Sequence, residues 1–276
     1  MKLVIEILGL ERKGIVTVTT LIDDPIKASR GGWIFANPTK DRKVGTFDVV
    51  DLRGLYDYLS PNFQGRCTAP LLIDTKQECI VSNESNDIVR MLPRLLESAV
   101  DNNQDDDQQS ESDEKKIDLC PGELSKTIDE TNEWIYRLLN NGVYRCGFST
   151  TQVAYDVASK DVREGLQKCE DILSKSQYIC GTTFLTESDI MLLPTILRFD
   201  GVYSPLFKAG GTHIKLKSDY PNIHKWLVRC WNDVPRVSTS IDISDATSSY
   251  YKQLFPLNPG GIIPTTVTAK ELGLED

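Results

Sequence analysis

The stretch RCTAPLLIDTKQECIVSNES, residues 66–85, decides the fold of the first part of the chain. APLLID (69–74) and ECIVSN (78–83) are rich in apolar and β-branched residues, and the polar residues between them predict a tight turn. Pro70 stands at the head of the first strand, where its missing N–H is spared or where a cis bond makes a turn. The stretch therefore predicts a strand pair that leads directly into a helix.

The four residues Ser82–Asn83–Glu84–Ser85 lie where the second strand gives way to that helix. Free backbone N–H groups at a helix start, together with a serine hydroxyl, suit a carboxylate, and Glu84 beside them suits an ammonium group. Such a pair of elements fits a zwitterionic peptide. The simpler interpretation is a helix N-cap that stabilises by about 1 kcal/mol and binds nothing. The four residues leave both interpretations open.

Hydrophobic periodicity predicts the other elements of the first hundred residues. They are a helix through Leu3, Ile7 and Leu10, a strand over 15–22, a short helix over 52–59 and a helix over 84–96 that is interrupted at Pro93. This order is the later part of a thioredoxin-like unit, which normally begins with a strand ahead of its first helix. We therefore expect an incomplete thioredoxin-like domain whose first strand is missing.

The second half of the chain has helical signals and no strand-like alternation. Its repeating apolar positions are Leu124, Ile128, Ile135 and Leu138, then Val162, Leu166, Cys169 and Leu173, and finally Ile223, Trp226, Leu227, Cys230 and Trp231. Thr186 and Asp189 have the spacing of a capping box, with a structural role. The predicted fold class is α+β with two domains, of which the second is all-helical.

The acidity of the chain is concentrated in one segment. Residues 101–117 carry seven acids and two lysines, a net charge of −5, so only −4 of the total of −9 remains for the rest. This composition predicts a disordered linker. The expected domains are 1–98 (thioredoxin-like), 99–118 (linker), 119–257 (helical) and an irregular tail over 258–276.

The bulk composition excludes several classes of function. A net charge of −9 argues against a nucleic-acid partner, whose phosphates need a basic face. The chain has no run of 18 apolar residues, so no membrane span is predicted. Its first residues make a poor secretory signal, so we expect a cytoplasmic protein. Seven scattered cysteines without a CxxC pair, and only two histidines, predict no metal site.

Three aromatic-rich stretches carry the remaining candidate chemistry. NNGVYRCGFSTTQVAY (140–155), RFDGVYSPLFK (198–208) and SSYYKQLFPLNPGGIIP (248–264) lie in or beside predicted loops. Their tyrosines would form an aromatic pocket with hydroxyls aimed at a polar ligand if the loops converge. Ordinary packing of tyrosines at domain edges is the other interpretation. The candidate tyrosines are Tyr144, Tyr203, Tyr250 and Tyr251.

These stretches together resemble the glutathione transferases. The Pro-led strand, SNES and the TESD capping box are similar to the superfamily, while NNGVYRCGFSTTQ, ILRFDGVY, SDYPNIHKWL and the last aromatic stretch resemble its omega-like xi class, the glutathionyl-hydroquinone reductases. The resemblance runs over about residues 3–265, apart from the acidic linker. It implies glutathione as co-substrate, a quinol as substrate, reductive deglutathionylation as the reaction and a homodimer as the assembly.

The resemblance also implies roles for particular residues. Trp33 would lie against the glutathione, and the backbone of Ala69, before a cis Pro70, would pair with its cysteinyl amide. Glu84 and Ser85 would hold the γ-glutamyl end. The quinol pocket would be lined by Tyr144, Tyr203 and Tyr250, with Tyr251 the weaker choice for the third. The family usually has Val at Ala69, His at Ser249 and Thr at Gly261.

The nucleophile of the family has no counterpart in residues 1–276. In the family a cysteine in a CPWAHR-like segment lies directly before the first helix, where a thiolate has a lowered pKa. Here that helix begins at Met1, so we expect no catalytic residue in the chain and no activity from it. Cys146 and Cys67 are the alternatives, and packing roles are favoured for both. The competing hypothesis is a non-catalytic glutathione-binding or assembly protein.

Overall fold

The computed structural model of the protein describes residues 1–23, 32–35, 47–101, 117–211, 213–253, 257–265 and 267–275. The chain divides into two units, residues 1–110 and 111–276. The predicted linker over 99–118 lies mostly outside the described residues, so its disorder stays a prediction.

The first helix of the N-terminal unit forms where the apolar spacing predicts it. Helix α1 (Lys2–Leu8) buries Leu3 and Ile7 and ends at Gly9, which has a φ of 64°. Glycine adopts this left-handed conformation without the penalty that a Cβ imposes, so it ends the helix cleanly. Helix α1 packs against helix α3 (Ser85–Asp101) of the same unit.

The strand predicted over 15–22 is wrong for most of its length. Only strand β1 (Leu21–Asp23) forms, and it pairs antiparallel with strand β2 (Trp33–Phe35). The N–H groups of Ile15 and Val16 donate to the carbonyl of Leu10, at 2.9 and 3.3 Å. A period-two pattern marks a strand only where a neighbouring strand takes the backbone hydrogen bonds, and here the preceding turn takes them.

The stretch 66–85 forms the predicted strand pair. Strand β3 (Leu72–Asp74) and strand β4 (Cys79–Ser82) are antiparallel, with Leu72 opposite Ser82. Helix α2 (Leu52–Leu59) matches its predicted bounds. Helix α3 continues through Pro93 to Asp101, so the predicted interruption at the proline does not occur.

The described residues of this unit therefore hold two small antiparallel sheets, β1–β2 and β3–β4. The side chains of Phe35, Phe47 and Leu55 form a buried cluster beside helix α2. The prediction of strands and helices in this unit is confirmed, and the thioredoxin-like arrangement stays a prediction. The missing first strand stays a prediction.

The C-terminal unit consists of helices and turns, with no strand among its described residues. The helices are α4 (Ser125–Ile135), α5 (Gly142–Gly147), α6 (Gln152–Leu173), α7 (Glu187–Leu197), α8 (Leu216–Asp219), α9 (Pro221–Asp233), α10 (Val237–Ser240) and α11 (Ile243–Gln253). A 3₁₀ turn covers Gly122–Leu124, and π turns cover Tyr136–Asn140 and Phe199–Tyr203. The prediction of an all-helical second half is confirmed for these residues.

The capping box predicted from the sequence anchors the core of the C-terminal unit. Asp189 accepts hydrogen bonds from the backbone N–H groups of Ile179 and Thr186, both at 2.9 Å. It also accepts from the Thr186 hydroxyl at 2.7 Å and from the indole N–H of Trp226 at 2.9 Å. A buried carboxylate is tolerated because donors surround it. The box therefore joins helix α7 to helix α9.

The tail after Asn258 has no helix or strand among its described residues. It is nevertheless fixed at its end, where the side chains of Leu272 and Leu274 are buried. The carbonyl of Leu272 lies 2.7 Å from Nε2 of His224, and Asn232 donates to the carbonyl of Leu274 at 3.0 Å. Helix α9 thus holds the tail by apolar packing and by hydrogen bonds.

Candidate functional site

Three of the four predicted tyrosines meet at their hydroxyl groups in the C-terminal unit. Tyr144 lies on helix α5, Tyr203 ends a π turn, and Tyr250 lies on helix α11. The oxygens of Tyr203 and Tyr250 are 2.9 Å apart, and those of Tyr144 and Tyr203 are 3.5 Å apart. Tyr144 and Tyr250 share a short hydrogen bond. We call Tyr144, Tyr203 and Tyr250 the tyrosine cluster.

The ring of Phe207 packs against the rings of all three tyrosines of the cluster. Its ring centroid lies 5.5 Å from that of Tyr144, 5.3 Å from Tyr203 and 6.0 Å from Tyr250. A Cβ at Gly147 would lie 2.6 Å from the Phe207 ring, which is closer than real contacts allow. Gly147 therefore lets helix α5 approach Phe207 and so brings Tyr144 to the other two hydroxyls.

Burial keeps Tyr203 and Tyr250 protonated. Loss of hydration raises the pKa of Tyr203 and of Tyr250 above the ordinary value of 10.0, and the positive charge of Arg198 only partly opposes this. Neutral hydroxyls hold three protons, and the two shorter contacts use two of them. The third proton, on whichever tyrosine carries it, has at most the 3.5 Å contact inside the cluster, so it is available to an oxygen acceptor of a ligand.

Tyr251, the fourth predicted tyrosine, points elsewhere. Its side chain is 9% exposed, and its hydroxyl lies 3.5 Å from the carbonyl of Gly201. Successive residues of a helix differ by about 100° around its axis. Tyr250 and Tyr251 therefore point in different directions, and only the hydroxyl of Tyr250 reaches the other two tyrosines of the cluster.

The residues predicted for glutathione lie at one end of the β3–β4 pair, except for Trp33. The Ala69–Pro70 bond is cis, as predicted, and the chain enters the pair there. Because Leu72 lies opposite Ser82, Ala69 and Glu84 sit at the same end. Asn83 reaches back to the Thr68 hydroxyl at 3.4 Å. Trp33 lies on strand β2, with 38% of its side chain exposed.

The start of helix α3 has the features of both interpretations of SNES. The Ser82 hydroxyl accepts from the N–H of Glu84 at 3.1 Å, and the Glu84 carbonyl accepts from the N–H of Ile88 at 3.0 Å. The first contact is a serine turn that leads into the helix, and the second is a helical hydrogen bond of its first turn. The side chains of Glu84 and Ser85 are exposed to solvent beside it. The glutathione-binding roles of these residues stay predictions.

Sequence reasoning missed the aromatic residues that surround the tyrosine cluster. Phe148 stacks on Tyr144 with centroids 6.5 Å apart and planes 7° apart, and Phe207 supports all three tyrosines. Both phenylalanines lie inside the quoted stretches 140–155 and 198–208. Their proximity to tyrosines in the sequence is the signal that was available.

The two alternative cysteines have different environments. Cys146 is 3% exposed, and burial raises the pKa of its thiol, which disfavours the thiolate. Its packing role is therefore supported. The sulfur of Cys67 is 3.2 Å from a guanidinium nitrogen of Arg53, on the N-terminal unit.

Two further features concern metals and membranes. Within the residues that the structure describes, no group of three or more His, Cys, Asp or Glu side chains is arranged to hold a metal ion. In the same part of the chain, no helix has the length and apolar character needed to cross a bilayer.

Comparison with known proteins identifies the fold and then the family. The family of glutathione S-transferase C-terminal domains matches residues 152–229. Glutathione S-transferase omega-like 2 of Schizosaccharomyces pombe is 35% identical over 237 residues, which cover 84% of this chain and 71% of the relative. Glutathionyl-hydroquinone reductase YqjG of Escherichia coli is 38% identical over 233 residues, with coverage of 84% and 66%.

The solved structures to which the protein is similar are also glutathione transferases. Glutathione transferase Xi 1 of Trametes versicolor superposes with a TM-score of 0.78 at 33% identity, covering 96% of this chain and 86% of that one. The glutathione-bound structure of YqjG from Escherichia coli gives 0.78 at 32% identity, with coverage of 96% and 80%. The fold is of the glutathione transferase type, with small sheets first and a helical domain second. The chain belongs to the glutathione transferase superfamily, in its xi, omega-like class.

Proposed function

We propose that the protein takes part in reductive deglutathionylation of quinols, the reaction named for its relative YqjG. The observation that carries this proposal is the tyrosine cluster, because three residues from three separate stretches bring neutral hydroxyls to one point. Phenol donors beside aromatic rings match the oxygens and the ring of a quinol. Tyr251 has at most a supporting role, since its hydroxyl faces Gly201.

Glutathione is the proposed co-substrate, held by the N-terminal unit. The exposed residue Ala69 suits the cysteinyl part, and the start of helix α3 at Glu84 and Ser85 suits the γ-glutamyl carboxylate and ammonium groups. Trp33 offers an exposed aromatic face. The glutathione-bound structure of YqjG supports the assignment of this co-substrate.

The proposed reaction breaks the bond between the glutathione sulfur and the quinol ring. A cysteine thiolate attacks that sulfur, a disulfide forms between the cysteine and glutathione, and the ring carbon takes up a proton. The thiolate of a second glutathione then attacks the mixed disulfide, which releases glutathione disulfide and regenerates the cysteine thiolate. The proposed part of the tyrosine cluster is to donate hydrogen bonds to the quinol oxygens and so hold the ring in one orientation.

The thiolate for this reaction is proposed to come from a CPWAHR-like segment ahead of helix α1. Cys146, Cys169 and Cys230 are buried, and burial raises the pKa of each thiol, which disfavours the thiolate. We expect residues 1–276 to bind glutathione and quinol, and turnover to depend on the cysteine of the CPWAHR-like segment. A cytoplasmic homodimer that needs no metal and binds no nucleic acid completes the proposal.

The experiment compares residues 1–276 with a chain extended by the CPWAHR-like segment. Glutathionyl-hydroquinone consumption is measured with excess glutathione, and glutathione binding is measured by calorimetry. We expect both chains to bind glutathione and only the extended chain to turn over, with its activity lost when the added cysteine becomes serine. Turnover by residues 1–276 that Cys146→Ser abolishes would contradict the proposal. If neither chain turns over but both bind glutathione, the protein is a non-catalytic binding or assembly protein.

A further inference from the structure

An open groove runs from Tyr144 along the first two turns of helix α6. Its volume is about 680 Å³, within the range of roughly 300–1,000 Å³ that is typical of small-molecule sites. The groove begins at Tyr144, whose ring forms one wall while its hydroxyl belongs to the cluster. Of the three tyrosines of the cluster, Tyr144 is the one that lines the groove.

The walls of the groove are apolar and exposed. They consist of Tyr144, Phe148, Val153, Ala154 and Val157. Val153 is 75% exposed and Val157 is 52% exposed, although both stand on a helix with a well-buried opposite face. Residues four apart lie on the same side of a helix, about 6 Å from each other along its axis. The two valines therefore form an apolar strip that leads away from Tyr144.

Of the polar residues that line the groove, Arg145, Ser149 and Thr151 have side-chain partners inside the protein, whereas Asn141 is uncharged and exposed. Arg145 donates to Asp161 at 2.9 Å, so its charge is offset. The Ser149 hydroxyl donates to the carbonyl of Arg145 at 2.5 Å, and the Thr151 hydroxyl accepts from the N–H of Ala154 at 3.2 Å. An anionic substituent would find no unshared cation among these three residues. The apolar walls are what the groove offers to a ligand.

We propose that the substrate is a quinol with an apolar substituent on its ring, and that Val153 and Val157 select for that substituent. This inference rests on the proposed binding of the quinol at the tyrosine cluster. With the ring oxygens at the hydroxyls, a hydrocarbon chain runs past the stacked rings of Tyr144 and Phe148 onto the valine strip. Each fully buried methylene strengthens binding about fourfold.

The test compares three ligands on the full chain by anaerobic calorimetry: hydroquinone, pentylhydroquinone and a hydroquinone with a short carboxylate substituent. We expect pentylhydroquinone to bind at least about tenfold more tightly than hydroquinone, since the open groove covers part of the chain. The carboxylate should give no such gain. Val153→Asp and Val157→Asp should remove the gain and leave hydroquinone binding unchanged, because exposed helix positions tolerate aspartate without unfolding.

Phe184→Asp is the matched control, since Phe184 is an exposed apolar residue of the same unit outside the groove. It should leave the binding of all three ligands unchanged. A gain for pentylhydroquinone that persists in both valine variants, or a larger gain for the carboxylate, overturns the inference. Tyr144→Phe keeps the ring but removes the hydroxyl, so it should weaken both uncharged quinols equally. If it weakens neither, the proposed quinol site fails instead.

Discussion

The chemistry of the tyrosine cluster depends on burial. A phenol in water loses its proton near pH 10, whereas Tyr203 and Tyr250 sit among aromatic rings that cannot solvate a phenolate. Arg198 contributes a positive charge that reduces this effect without reversing it. Tyr203 and Tyr250 are consequently neutral donors at physiological pH, which suits the proposed hydrogen bonds to a quinol oxygen and disfavours a role as a base.

Removal of a hydroxyl from Tyr250 and from Tyr251 should have different effects on ligand binding, because only Tyr250 belongs to the tyrosine cluster. Tyr250→Phe is expected to weaken hydroquinone binding about tenfold, because one hydrogen bond to a ligand contributes roughly 1–1.5 kcal/mol. Tyr251→Phe, the adjacent control, should leave binding unchanged because its hydroxyl contacts Gly201. Calorimetric titration with hydroquinone measures both. Equal losses in the two variants would mean that the tyrosine cluster is not the binding site.

Between elements, a single carboxylate fixes the start of helix α9. Glu170 on helix α6 accepts from the backbone N–H of Asn222 at 3.0 Å and of Ile223 at 2.9 Å. The amide of the Asn222 side chain donates to the same carboxylate at 2.7 Å. These N–H groups have no partner within their own helix, and the helix dipole favours a negative charge beside them. The contact therefore joins two long helices of the C-terminal unit.

Neutralising this carboxylate should loosen that junction. Glu170→Gln is expected to lower the free energy of unfolding by about 1 kcal/mol, since it loses the charge and one acceptor oxygen. Glu164→Gln provides the control, because Glu164 is exposed on the same helix. Its effect should stay within about 0.5 kcal/mol. Urea unfolding followed by far-UV circular dichroism gives both values, and equal effects would contradict the proposed role of Glu170.

Over the whole molecule, buried tyrosines should make stability fall in alkaline solution. Burial raises the pKa of Tyr178 to about 12, and it raises those of Tyr203 and Tyr250 as well. Above pH 10 the unfolded chain loses these protons while the folded chain keeps them. Folded protein then binds more protons than unfolded protein, so its stability declines as pH rises.

The slope of this decline should reach about 1.4 kcal/mol per pH unit for each of these tyrosines. Urea unfolding at a series of pH values above 10 measures the slope. Tyr178→Phe removes one titrating group. Between pH 10 and about 12 it should therefore reduce the slope of the free energy of unfolding by about 1.4 kcal/mol per pH unit. A free energy of unfolding that stays level across this range would show that the phenols titrate at their ordinary pKa.

The local pattern of apolar and polar residues correctly predicted the helices that bury one of their faces. The apolar spacing of Ile223, Trp226 and Cys230 required a helix there, and the TESD motif required a cap, because both depend on residues within a few turns. The strand over 15–20 failed for the opposite reason. A strand needs a partner distant in sequence, and no local pattern says whether one is present.

The sequence by itself determined the class of fold, the hairpin at residues 66–85, the helical second half and the set of tyrosines from which the site is built. Only the tertiary structure decided that Tyr144, Tyr203 and Tyr250 meet while Tyr251 does not. Tyr144 is separated by 59 residues from Tyr203 and by 106 from Tyr250. Their meeting depends on helix packing, such as the close approach that Gly147 permits at Phe207. Such contacts follow from the folded core and not from the spacing of residues along the chain.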